Sequence, residues 1–206
     1  SISTARTNIS ALGEEYWQYD YAMYWTIMML YLVEFANWNS QEMIGYGCSP
    51  GGAIFNMGLT DSMEYHTGTS ATSKTTYGCC QYRNIEGLWD NLFDFVDGCY
   101  YSGKNLYFSN TPSEYNTKNG EFIGTTSSSG LYPIQFNLTS LLNSQWIYPS
   151  YGGPFSPTGD SWAVDSTGTQ LAIGGYFSQT MEWGAFCVAD LNDAGDLWVG
   201  CRNQKL

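Results

Sequence analysis

The sequence predicts an α+β fold in which a long N-terminal helix packs on a small twisted antiparallel sheet with long loops wrapped around it. Three observations carry that reading. Residues 14–38, EEYWQYDYAMYWTIMMLYLVEFANW, place Tyr24, Trp25, Met28, Met29, Leu32, Val33 and Ala36 on one wide apolar face behind an Asp20 cap. Short apolar runs recur later as LWDNLFDF (88–95), LAIGGYF (171–177), GAFCVA (184–189) and LWVGCR (197–202), each bounded by turn residues as strands are. Between them the chain is rich in Gly, Ser, Thr, Asn and Pro, the composition of loops. At 206 residues one domain is expected, burying about two-thirds of its unfolded surface.

Taken in order, residues 1–13 are small and polar and read as an arm or entry strand without a signal-peptide pattern, leaving 14–206 as the domain. In the helix, the uncharged run between Asp20 and Glu34 holds thirteen residues, short of the roughly 20 that span a bilayer, so a buried core helix without membrane insertion is expected. Residues 39–78 read as loops with short extended pieces. They contain His66, the lone histidine, which without a partner His or Cys is expected to pack or hydrogen-bond rather than catalyse.

The segment 81–98, QYRNIEGLWDNLFDFVDG, reads as the centre of the core. Ile85, Leu88 and Trp89 share a face at helical spacing, so a helical turn should feed a strand through Phe93 and Phe95 that ends at an Asp97-Gly98 turn. Arg83 is spaced to pair with Glu86, and Asp94 falls on the solvent side of the alternation. Read as paired acids for hydrolysis, these carboxylates have no histidine or nucleophile tied to them by spacing, so they are expected to be scaffold. Beyond them come a strand-like CYYSGKNLYF (99–108), polar loops, a helix-capable FNLTSLLNS (136–144) and a Pro/Gly loop at 148–160. DLNDAGD (190–196) joins the last two apolar runs. Its oxygens tempt a calcium reading, but the spacing of a calcium loop is missing and a solvated hairpin loop is expected.

A net charge of −12 with seven Lys and Arg disfavours nucleic acid and anionic membranes as partners. Aromatic residues make up 17% of the chain, including seventeen Tyr and eight Trp, against 13% charged residues. Stiff amphipathic rings amid Ser, Gly and Asn make a binding-surface composition, and equally that of a loop-rich extracellular β protein. The six cysteines, Cys48, Cys79, Cys80, Cys99, Cys187 and Cys201, show neither a CxxC pair nor zinc-site spacing. Adjacent Cys79 and Cys80 are poorly placed to bond each other. Cys187 and Cys201 fall in runs expected to pair as strands, where buried thiols and a bridge are both open.

HTGT at 66–69, QYRNIEGLWDNLFDFVDG and the closing VGCRNQKL at 199–206 together resemble the C-type-lectin-like domain of phage tail and diversity-generating-retroelement variable proteins, kin to the formylglycine-generating, sulfatase-modifying fold. Leu88 to Phe95 is similar to that superfamily's N-W-G-N-V-W-E-W motif with Asp90 in place of Gly, and Gly200, Cys201 and Arg202 match its G-x-R ending. LYLVEFANWNSQ resembles the end of the long helix, so the likeness spans about 16–206. It implies a C-type-lectin-like ligand-binding domain whose variable region, about 174–200, carries diversified side chains on a fixed scaffold of Phe186, Val188, Val199 and Cys201. The implied ligand-binding residues are Tyr176, Ser178, Gln179, Thr180, Glu182, Trp183, Asp190, Asn192, Asp193, Asp196 and Trp198. Trp183 and Trp198 have the chemistry of binding hot spots, with a core role as the alternative.

The resemblance further implies a tail-fibre tip, virion or cell-surface location, a homotrimer, and a host cell-surface protein or glycan as partner, with no cofactor. The sugar motif of calcium-dependent lectins, Glu-Pro-Asn or Gln-Pro-Asp followed by Trp-Asn-Asp, is absent. A structural tail or baseplate role is the alternative. An oxidase of the formylglycine-generating type needs a closely placed cysteine pair, and Cys187 and Cys201 lie fourteen apart in sequence, so no enzyme is expected.

Overall fold

A computed structural model describes residues 1–47, 54–89, 91–115, 117, 119–125, 132–136, 149–153, 162–163, 169–175, 184–192 and 199–205. The elements are α1 (Ile2–Ser10), β1 (Tyr16–Gln18), α2 (Tyr21–Phe35), α3 (Ser40–Met43), β2 (Gly68–Thr69), β3 (Cys80–Tyr82), β4 (Ile85–Glu86), β5 (Phe93–Ser102), β6 (Asn105–Phe108), a 3₁₀ turn (Pro112–Glu114), β7 (Glu121–Thr125), β8 (Tyr132–Phe136), β9 (Pro149–Gly153), β10 (Trp162–Ala163), β11 (Gln170–Ile173), β12 (Val188–Leu191), β13 (Val199–Cys201) and β14 (Asn203–Lys205). The main sheet runs β10-β12-β11-β5-β6-β7, with β13 also on β5. The chain is α+β with mostly antiparallel pairing, and β10 on β12 and β13 on β5 are parallel.

The two faces of that sheet carry different helices. On one, Val96, Leu171, Ile173 and Val188 pack in a core with Tyr21, Tyr24, Trp25, Ile27, Met28 and Tyr31 of α2. On the other, Phe93, Phe95, Ala172, Cys187 and Ala189 pack with Ile2 of α1. Alternating side chains of β5 and β11 serve both layers, as the period of two requires.

Residues 1–13 are therefore not an arm or entry strand. Ser1 caps the helix by accepting from the Thr4 amide at 3.3 Å, and Ile2, Ala5 and Ile9 form a buried stripe at helical spacing. The expected helix begins where its cap predicts, Asp20 accepting from the Met23 amide at 2.8 Å, and it stops at Ala36 in the left-handed conformation, φ 50°. It is the second helix, not the first, and its buried stripe is centred on Tyr24, Met28 and Tyr31. Val33, expected on the apolar face, lies about 140° around from Met28 at 100° per residue and is 82% exposed. No helix among the described residues is long and apolar enough to cross a membrane.

The helical turn expected at Ile85–Trp89 is instead a hairpin. Tyr82 pairs with Ile85, and the two connecting residues, Arg83 and Asn84, both take positive φ, 52° and 64°, as a type I′ turn demands. Nor does the next strand end at Asp97-Gly98: β5 continues to Ser102, because Gly98, at φ +71°, lets the backbone kink within the strand. A Cβ there would lie 2.8 Å from the Ser109 carbonyl oxygen. At the neighbouring irregularity between Gln170 and Ala172, the Gln170 side chain donates through Nε2 to the carbonyls of Val96 (2.7 Å) and Cys99 (3.2 Å).

The charges of this segment also sit elsewhere than expected. Arg83 pairs with Glu34 of α2 at 3.2 Å, not with Glu86. Asp94 and Asp97 are both buried, each facing an arginine from a chain terminus. Cys79 is disulfide-bonded, Cys80, Cys99 and Cys187 are buried thiols, and Cys201 is an exposed thiol. Cys187 and Cys201 do not fall on paired strands, since β13 joins β5 and the order β12-β11-β5-β13 puts three strand spacings, about 14 Å, between them.

Burial raises the pKa of three core groups, the hydroxyls of Tyr19 and Tyr101 and the thiol of Cys99. All three stay protonated in the fold at a pH where the unfolded chain has begun to lose those protons. Raised folded pKa values mean stability is whole below the unfolded values and falls as pH rises through them. The chain should lose unfolding free energy progressively above about pH 9 to 10, read from urea midpoints across pH 7–11. A flat profile would contradict the burial of these groups.

Candidate functional site

The two parts of the chain that predict a binding surface both spring from buried strands of the main sheet. The first leaves β11 at Gly174, where φ is +85° and a Cβ would lie 2.6 Å from the Leu88 carbonyl oxygen, so only glycine fits. The Gly174 amide donates to the Cys187 carbonyl at 3.1 Å, closing the base of residues 175–186. Ahead of β12 the chain is pinned at Ala185, whose amide donates to Ser40 Oγ (2.8 Å) and whose carbonyl accepts from the Tyr24 hydroxyl (3.2 Å). Ala185, Phe186 and Cys187 are all buried. The second part leaves at Leu191, whose carbonyl accepts from the Thr169 amide at 3.1 Å, and returns as β13, Val199 pairing with Phe93.

Of the eleven predicted binding residues, two are described. Asn192 is exposed, as a contact residue must be. Asp190 is not: it lies in β12 opposite Leu171 and is 7% exposed, because the strand runs on through it to Leu191 instead of turning there. Asp190 is corrected from surface to scaffold. Tyr176, Ser178, Gln179, Thr180, Glu182, Trp183, Asp193, Asp196 and Trp198 lie outside the described residues, as do the remainder of the DLNDAGD turn and all of FNLTSLLNS after Phe136. No cluster of three metal-ligating side chains occurs among the described residues.

The two motif segments meet in space. Parallel pairing sets Gly200 against Asp94, and the Arg202 guanidinium holds the Asp94 carboxylate through Nε and a terminal nitrogen, both at 3.0 Å. The same guanidinium donates to the carbonyls of Glu86 (2.9 Å) and Gly87 (2.8 Å). Trp89 donates its ring N–H to the Gly45 carbonyl at 3.1 Å, and Asn91, at φ +92°, brackets Phe55 with both ends of its amide at 2.9 and 3.0 Å. These polar residues act as joints that tie loops to β5, and each is spent on backbone or counter-charge. Alongside, Gln204 and Asp20 clasp the chain ends: β14 pairs with β1, and the Gln204 amide donates to Asp20 at 2.9 Å.

One element at the N-terminus escaped sequence reasoning altogether. Arg6 of α1 reaches the Asp97 carboxylate with two nitrogens, Nε at 2.7 Å, and a third contact goes to the Tyr115 carbonyl at 3.3 Å. The signal available was an arginine one position after Ala5, on the flank of the Ile2, Ala5, Ile9 stripe. Beside the Arg202 joint lies a cavity of about 410 Å³ that no motif pointed to. Compared with family models, curated proteins and solved structures, the chain matches none.

Proposed function

We propose that this protein is a ligand-binding module of the C-type-lectin-like variable type, displaying an interchangeable surface from about 174–200 to a host cell-surface protein or glycan, from a phage tail-fibre tip or a cell surface. One observation carries the reading: both stretches that hold the candidate side chains begin and end on hydrogen-bonded anchors in or beside one sheet, the buried Gly174 and Ala185 and the half-buried Leu191 and Val199. Anchors of that kind hold a contact surface in place while its side chains change, which keeps the ordering cost of binding low and lets sequence set specificity. The contact between the LWDNLFDF and Gly200-Cys201-Arg202 segments supports the resemblance, since both segments that suggest it belong to one structural joint. Trimeric display would raise the avidity of weak single sites.

The test is replacement of Trp183 and Trp198 together by Ala. Binding to target cells should fall at least 100-fold, the loss of two hot-spot side chains of about 2 kcal/mol each being ample, with the melting temperature within about 2 °C of the parent. A large drop in melting temperature would make the tryptophans core and overturn the assignment.

A further inference from the structure

Helix α2 turns an apolar stripe to solvent as well as to the core. At 100° per residue Ala22, Thr26, Met29, Leu30 and Val33 fall within about 100° of arc on the side away from Tyr24, Met28 and Tyr31. Thr26, Leu30 and Val33 are exposed, Val33 to 82%, and Ala22 and Met29 are half-buried along one edge of the stripe. The stripe runs for about 16 Å, three turns, and the chain carries no charge between Asp20 and Glu34. Its one polar side chain is already bonded within the helix, the Thr26 hydroxyl donating to the Ala22 carbonyl at 2.8 Å. The outer side of a surface helix is ordinarily polar and charged, whereas a helix apolar all round is one that is covered.

Charge and shape say what covers it. With a net charge of −12 a second copy is repelled over most of its surface, and an uncharged stripe is where two copies meet least repulsion. The other exposed apolar cluster, Ile54, Phe55, Met57, Leu59 and Tyr65, lacks that property, because exposed Asp61 and Glu64 are set among its residues. An anionic bilayer is disfavoured too, since the helix carries neither Lys nor Arg.

The stripe is also complementary to itself. Its N-terminal end is small, Ala22 and Thr26, and its C-terminal end is bulky, Met29, Leu30 and Val33. Turned antiparallel about a twofold axis, the bulky end of each helix faces the small end of the other, which lets the axes approach to the about 8–10 Å of packed helices. The same arrangement sets opposite ends of the two helix dipoles side by side.

We infer that a second copy of this chain docks on the outer stripe of α2, helix against antiparallel helix, with Val33 of each copy over Ala22 of the other. The contact uses no residue of 174–200 and does not rest on the proposed ligand binding. A trimer built through another surface would be paired by this contact into a hexamer.

The experiment compares the full chain with Val33→Glu, Leu30→Lys and Tyr65→Glu by light scattering across a range of concentrations, with a melting curve at each. A charge of either sign buried in the contact is unfavourable. Val33→Glu and Leu30→Lys should therefore each halve the mass of the assembly, and Tyr65→Glu, on the other apolar cluster, should leave it unchanged. The parent's melting temperature should rise with concentration, as subunit linkage requires, and that of Val33→Glu should not. Because the parent's own concentration dependence is read directly, the test holds even if a variant folds poorly. No target is needed, so failure here leaves the proposed binding surface untouched. Equal masses for the parent and both stripe variants, halving by Tyr65→Glu instead, or a parent melting temperature independent of concentration would overturn the proposal.

Discussion

Replacing Arg6 by Ala should destabilise the protein by about 3–5 kcal/mol, the usual loss when one partner of a buried ion pair is removed. The Asp97 side chain it leaves behind is 4% exposed, and among the described residues it would keep the bond it accepts from the Gly98 amide at 3.0 Å. The carboxylate would lose its counter-charge at a buried position, the kink of the central strand, where hydration replaces that charge poorly. The loss spreads further, because Arg6 is also the polar link that holds α1 over the sheet face formed by Phe93, Phe95 and Ala172. For a chain of this size the melting temperature should fall by roughly 10 °C. Asp97→Asn combined with Arg6→Ala should recover part of it, since a neutral amide costs less to bury than a lone carboxylate. A single Arg6→Ala variant as stable as the parent would mean that α1 contributes little to the fold.

Arg202→Ala should cost a similar amount, about 3–5 kcal/mol, by a different route. It strands the Asp94 carboxylate, whose side chain is 11% exposed, and also leaves the carbonyls of Glu86 and Gly87 without their donor. Arg202→Lys should restore little, because a single ammonium cannot reproduce the three-way fork to one carboxylate and two carbonyls. Since the same residue directly follows strand β13, at the far end of the 193–198 stretch, binding by the proposed variable surface should fall along with stability. Chemical denaturation of the Ala and Lys variants, measured side by side, checks this. Recovery of stability by Lys would show that the charge alone matters.

The helix α2 could be read in the chain because its information is local: a capping Asp20, an apolar period and no interruption. The strands around Phe93, Leu171 and Val199 were legible for the same reason, while the strand expected at GAFCVA around Phe186 begins only at Val188. Helix α1 was not, because its Ile2, Ala5 and Ile9 stripe is thin and set among polar residues, so composition hid the period. The Arg83-Asn84 turn was mistaken for helix because Ile85, Leu88 and Trp89 happen to fit both readings, and neither turn residue is glycine.

The ion pairs were invisible for a deeper reason. Asp94 and Asp97 alternate with apolar residues as solvent-facing acids would, and their partners lie 108 and 91 residues away. For the proposed binding surface, the anchors could be found from the apolar runs, but Asp190 looked like the first residue of a turn while serving as the third residue of a strand.

The account rests on a stiff frame that tolerates change between its anchors. Its most direct measurement is a pair of libraries scored for folding by resistance to proteolysis. One randomises Tyr176, Ser178, Gln179, Thr180, Glu182, Asn192, Asp193 and Asp196, and the other an equal number of anchors, including Leu171, Ile173, Ala185, Phe186 and Val188. Most members of the first library should remain folded and nearly all of the second should not; equal losses in the two would contradict the claim.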